Sequence, residues 1–129
     1  MIVRNHCIVS GNLSADPEVT HTHPTGGMVV RFSIANNELE IDRDSKESKP
    51  GHTNWLPVTV FNGLAKRVLS GLKKGDLVTA FGAIRTRSYT DKSGKSARSF
   101  EIIATDVLKS SLLPAADERP TDVPSFEDF

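Results

Sequence analysis

The chain has 129 residues, 37% of them apolar, which suffices for one domain with a core of its own. A single cysteine, Cys7, excludes an intrachain disulfide framework, and no run approaches the roughly 20 apolar residues of a membrane helix. The opening MIVRNHCIVS is too short in apolar residues for a secretion signal, so a soluble cytoplasmic protein is expected.

The formal net charge of zero hides a segregation. Residues 1–109 carry 15 Lys and Arg against 11 Asp and Glu, whereas residues 110–129 carry Arg119 alone against five acids. This pattern suggests an acidic interaction tail on a body that favours anions.

Taken in chain order, the body reads as strands. HCIVSGNL is a first strand, closed by the turn-forming SADPE. GGMVVRFSIANNE is a second, entered through the turn HPTGG, with Val30, Phe32 and Ile34 on one face and Arg31 and Ser33 on the other. Ile41 to His52 is nearly all polar and reads as a mobile, charged hairpin connection. NWLPVTVFN is a third strand. Its even positions, Leu56, Val58 and Val60, are aliphatic, and its odd positions are Trp55, Pro57, Thr59 and Phe61.

NGLAKRVLSGLKKG then places Leu64, Val68 and Leu72 on one helical stripe, with Asn62 as N-cap and Gly75 as C-terminal stop. DLVTAFGAIRTRSY is a long fourth strand in which Gly82 marks a bulge or bend. TDKSGK is a hairpin turn, and ARSFEIIATDVLK a fifth strand. Five strands with one short helix between the third and fourth is the layout of an OB-fold, an all-β Greek-key barrel. A β-sandwich also fits the alternation, but the placement of the helix favours the barrel. After Leu113 the apolar pattern stops, and the acidic, Pro-rich PAADERPTDVPSFEDF is expected to be disordered. The expected organisation is therefore an OB domain over 1–112 and a tail over 113–129.

A barrel fills its interior with one parity of each strand. By that rule Trp55 and Phe61 face outward on the third strand, and Arg85, Arg87 and Tyr89 on the fourth. Rings offer stacking planes to unpaired bases, and guanidinium groups pair with phosphate. Stacking ignores base identity, so the expected ligand is single-stranded nucleic acid bound without sequence preference. Outward rings also serve as loop covers or oligomer contacts. Three of them sharing a parity with two arginines favours the nucleic-acid reading. Phe81 has that parity too, but it precedes Gly82 and reads as packing beneath the tail or a partner subunit. Arg31, Arg85 and Arg87 are the expected phosphate contacts, joined by Lys66, Lys73 and Lys74. Counterion release then makes the affinity fall with salt.

No catalytic constellation is legible. His21 and His23 form an H-x-H pair without a third ligand at metal-binding spacing, and the segment around them reads as a turn. No nucleophile elbow or glycine-rich phosphate loop is present. Neither a metal nor a cofactor is expected, and the protein is read as non-enzymatic. The rival reading is an OB-fold protein-interaction module that touches DNA weakly.

Several blocks in the same order resemble the bacterial single-stranded DNA-binding protein family: GNLSADPEV, RFSIANNE, TNWLPVTVFNGLAKRVLSGLKKGDLV and GAIRTRSYTDKSG. The resemblance covers about Cys7 to Leu108 and the tail tip. It implies an OB-fold that assembles as a homotetramer and wraps single-stranded DNA in replication, recombination and repair, in the cytoplasm at the nucleoid. It matches the family's stacking rings to Trp55, Phe61 and Tyr89, the last where a tryptophan is more usual, and its basic positions to Arg85 and Arg87. Two departures stand out. A ring that family members carry early in the hairpin is replaced at Leu39, Glu40 or Ile41, and Pro57 stands where a basic residue is common. The tip DVPSFEDF resembles the acidic end through which the family recruits genome-maintenance proteins. Phe129 supplies a ring and a carboxylate, and Asp122, Glu127 and Asp128 supply charge. Asp128 takes the place of the family's usual proline. A short linker would also let the tip reach the basic face of its own body and compete with DNA there.

Overall fold

The computed structural model describes residues 2–110. Six strands and one helix follow in the order β1 (Cys7–Leu13), β2 (Glu18–Thr22), β3 (Met28–Ile41), β4 (Ser48–Phe61), α1 (Asn62–Gly71), β5 (Leu77–Thr90) and β6 (Ser96–Lys109). Across the sheet the strands run β1-β5-β6-β4-β3-β2. β1 also pairs with β3 through Asn12↔Ala35 and Leu13↔Ile34. That second pairing closes β1, β5, β6, β4 and β3 into a five-stranded barrel and leaves β2 as a flap on the edge of β3. The β4–β6 seam is parallel, through Val58↔Ile102 and Thr59↔Ile103, and the other pairings are antiparallel. The barrel expected from the sequence is the one that forms, with α1 between the third and fourth of its strands.

The inward parity of each strand fills the barrel. Val30, Phe32 and Ile34 of β3 meet Val58 and Val60 of β4, Val78 and Ala80 of β5, Ile102 and Ala104 of β6, and Leu13 of β1. Ala65 and Val68 of α1, followed by Leu72, add to the same core. Burying a Val, Ile or Leu side chain contributes about 1.5–3 kcal/mol, so this alternation is what drives closure.

Four local expectations are corrected. The segment read as a turn around His21 is the short strand β2, every residue of which is exposed. An edge strand in water carries no apolar alternation, and it is held by its ladder to β3. The polar connection from Ile41 to His52 is a hairpin, but half of it is strand. β3 and β4 stay paired as far as Ile41↔Ser48, and Asp42 to Glu47 make the turn. Both faces of this arm are solvated, so its composition looks like loop. Phe61, not Asn62, is the N-cap residue of α1, and it makes no side-chain capping bond. Asn62 adopts φ 54°, and its Oδ1 accepts the Met28 N–H at 3.4 Å. The helix ends at Gly71, four residues before Gly75, because Leu72 is already extended.

Gly82 carries no extra residue. The pairing passes from Phe81↔Asp106 to Gly82↔Ala104, so the bulged residue is Thr105 on β6, whose hydroxyl donates to the Phe81 carbonyl at 3.2 Å. The glycine is needed for the close approach itself, since a Cβ there would collide with the Ile103 carbonyl oxygen. Residues 111–129 lie outside the described part of the chain. With them lie the expected tail and its tip residues Asp122, Glu127, Asp128 and Phe129.

Candidate nucleic-acid interface

β4 runs without a bulge from Trp55 to Phe61, so its alternation is preserved. Val58 and Val60 are sealed in the core, while Trp55 is 61% and Phe61 40% exposed on the other face. Six residues of strand place the two rings roughly 20 Å apart along one surface. Trp55 stands opposite the small Ala35, which leaves the indole uncovered. Pro57 stands opposite Ser33, whose carbonyl accepts the Ser14 N–H at 3.1 Å and therefore points away from β4. The missing proline donor faces the other way, and the parallel pairing with β6 begins only at Val58. The ring removes no bond from the β3–β4 ladder.

Thr59 has the parity of the exposed rings but is buried, and the cause is a charge cluster that sequence reasoning missed. Glu101 of β6 is 4% exposed. Its Oε2 accepts the Thr59 hydroxyl at 2.6 Å and the Arg31 guanidinium at 3.0 Å, and Arg31 Nε also donates to Thr59 Oγ1 at 3.3 Å. Arg87 of β5 lies 3.1 Å from Oε1 as an ion pair, but its geometry there is not that of a hydrogen bond, so Oε1 accepts none. Burial pushes the Glu101 carboxyl up. The Thr59 hydrogen bond and the charges of Arg31 and Arg87 outweigh that and hold it below the ordinary carboxylate value. The only hint in the sequence was an acid inside the apolar run FEII.

This cluster brings Arg31, Thr59 and Arg87 together on one surface. One carboxylate touches β3, β4 and β5 side chains at once, so Arg31, the Thr59 parity of β4 and the Arg87 parity of β5 look out on the same side. Arg85 and Tyr89 have the parity of Arg87. Tyr89 is 52% exposed, on the part of β5 that pairs with the start of β6. Arg85 is exposed and, among the described residues, has no acidic partner within 4.0 Å. Between Phe61, Arg31, Thr59, Glu101, Arg87 and His21 lies an open groove of about 580 Å³.

Other residues lie elsewhere. Lys66 is exposed on α1, and Lys73 and Lys74 are exposed in the turn after it. None of the three lines the groove. The Lys73 and Lys74 backbone N–H groups are held by Asp76 and Asp16 at 2.8 Å each. In the β3–β4 arm, Leu39 and Ile41 continue the parity of Ala35 and are exposed, whereas Glu40 faces the other side and pairs with Lys49 at 3.8 Å. His21 borders the groove, and His23 Nδ1 bonds the Thr25 hydroxyl at 2.7 Å. Among the described residues no three His, Cys, Asp or Glu side chains come together as a metal site, and no helix is long and apolar enough to cross a membrane.

The profile of the single-strand binding protein family matches residues 4–110. The chain is 36% identical over 99 residues to a single-stranded DNA-binding protein of Paenarthrobacter aurescens, an alignment covering 77% of this chain and 57% of that one. It is 34% identical over 113 residues to a single-stranded DNA-binding protein of Corynebacterium glutamicum, covering 88% of this chain and 50% of the relative. The match thus spans about half the length of these relatives. Among solved structures, a Plasmodium falciparum SSB in complex with ssDNA superposes with a TM-score of 0.72 at 24% identity, covering 84% of this chain and 97% of that chain. This likeness is one of fold.

Proposed function

Because the chain belongs to the single-strand binding protein family, we propose that it is a non-catalytic protein that binds and protects single-stranded DNA without sequence preference. The observation that carries this reading is the surface united by Glu101. Trp55, Phe61 and Tyr89 stand in water on the side to which Arg31, Arg85 and Arg87 also turn. Rings of this kind stack on unpaired bases, whose faces a duplex hides. Arg85 takes phosphate, and Lys66, Lys73 and Lys74 add a second basic region on the helix side of the barrel. Leu39 and Ile41 offer the strand an exposed apolar surface on the β3–β4 arm.

The same reading assigns residues 1–112 to DNA and residues 113–129 to partners. Asp122, Glu127, Asp128 and Phe129 form the tip that recruits genome-maintenance proteins in replication, recombination and repair. The working form is a homotetramer in the cytoplasm at the nucleoid.

Fluorescence anisotropy of a labelled oligo-dT tests the proposal. Unlabelled single strands of mixed sequence are expected to displace the label, and duplex DNA of equal length to do so only at far higher concentration. Equal competition by duplex contradicts stacking. No binding of either, with retention of a protein partner through Phe129, would favour the interaction-module reading.

A further inference from the structure

We infer that Glu101 occupies Arg31 and Arg87 where a backbone phosphate would otherwise sit, so that the groove beside Phe61 favours a nucleobase and the phosphate chain runs past Arg85. The inference rests on single-strand binding as proposed above and concerns how the strand lies on the surface. Two guanidinium groups stand 3.0 and 3.1 Å from the two oxygens of one carboxylate, the arrangement they would offer a phosphate. Thr59 fixes the carboxylate from below with a 2.6 Å hydrogen bond, so the anion is built into the floor of the groove.

Two guanidinium charges face one carboxylate, which offsets one of them, so a second anion gains less here than at Arg85, which has no such partner among the described residues. A neutral base does not depend on that charge, and Phe61 lines the groove beside it. Arg85 stands opposite Glu101 in register, yet its side chain makes no ion pair among the described residues. It is the arginine left for the backbone. The strand is therefore threaded with phosphates along the outer edge of the β5–β6 arm and a base turned into the groove.

The test is the salt dependence of oligo-dT binding by the full chain. Glu101→Gln keeps the size of the side chain and its acceptor for Thr59 and Arg31 while removing the charge. It is expected to tighten binding at low salt and to steepen the log–log salt slope by at least about 0.7, one further phosphate on a single strand. Asp106→Asn makes the same charge change beside α1 and is expected to leave the slope as in the parent. Arg85→Gln should flatten the slope by about 0.7, and Arg87→Gln by less than half as much. Where Glu101→Gln does not fold, that arginine contrast decides alone. An unchanged slope in folded Glu101→Gln, an equal steepening in Asp106→Asn, or equal losses in the two arginine variants overturns the inference. A parent that binds no single strand overturns the proposed function as well, whereas a parent that binds without these contrasts overturns the inference alone.

Discussion

At Glu101 a carboxylate is buried among one hydroxyl and two guanidinium groups, and that one side chain decides which neighbours are free to meet a ligand. It also links stability to pH. Its carboxyl is held below the ordinary value of 4.5, so the stabilisation is complete above that value and is lost as the pH falls through the lower, folded one. Urea midpoints measured from pH 7 downward should therefore drop less in Glu101→Gln than in the parent below about pH 4.5. Exposed Asp42 and Asp91, which local hydrogen bonds also hold low, contribute to the dependence left in the variant. Of the three proposed stacking rings, Phe61 lines the groove with this cluster. Phe61→Ala should weaken oligo-dT binding by about 1–3 kcal/mol, roughly 5- to 150-fold, a magnitude taken from single-strand binders of this class and not from this structure. Isothermal titration checks it, with the thermal midpoint showing that the fold is retained.

The third strand of the barrel was the most legible element, because Leu56, Val58 and Val60 alternate with Trp55, Thr59 and Phe61 over a stretch with no bulge. Where alternation disappears, legibility goes with it. β2 lies wholly in water, and the outer halves of β3 and β4 have two solvated faces, so backbone pairing fixes them and side-chain pattern does not. The site was read in part. The rings and arginines followed from parity, but Thr59 looked exposed and Glu101 went unnoticed. Their meeting, between residues 42 apart in sequence, depends on the parallel β4–β6 seam. The bulge expected at Gly82 is there, with its extra residue, Thr105, on the facing strand. Gly82→Ala pushes a Cβ into the Ile103 carbonyl and is expected to destabilise the protein by about 3 kcal/mol, visible as a lower urea midpoint at unchanged m-value.

The closed barrel turns its exposed rings away from its core and lets α1, with its lysines, add to the core from elsewhere, so the molecule has a ring-bearing side and a separate basic region. The charge asymmetry of the chain bears on both. Residues 1–109 have a surplus of +4 and residues 110–129 of −4. We propose that a tail of that sign competes with DNA for the body; removing residues 117–129 is then expected to tighten oligo-dT binding at low salt and to change little at high salt. Equal affinity with and without the tail at low salt would contradict it. Trp55 is the only tryptophan and stands uncovered on the proposed interface. Its emission therefore reports on the binding surface directly. Titration with oligo-dT is expected to quench it strongly and to saturation, with little change on adding duplex DNA. An indole whose emission ignores saturating single strands would contradict the account.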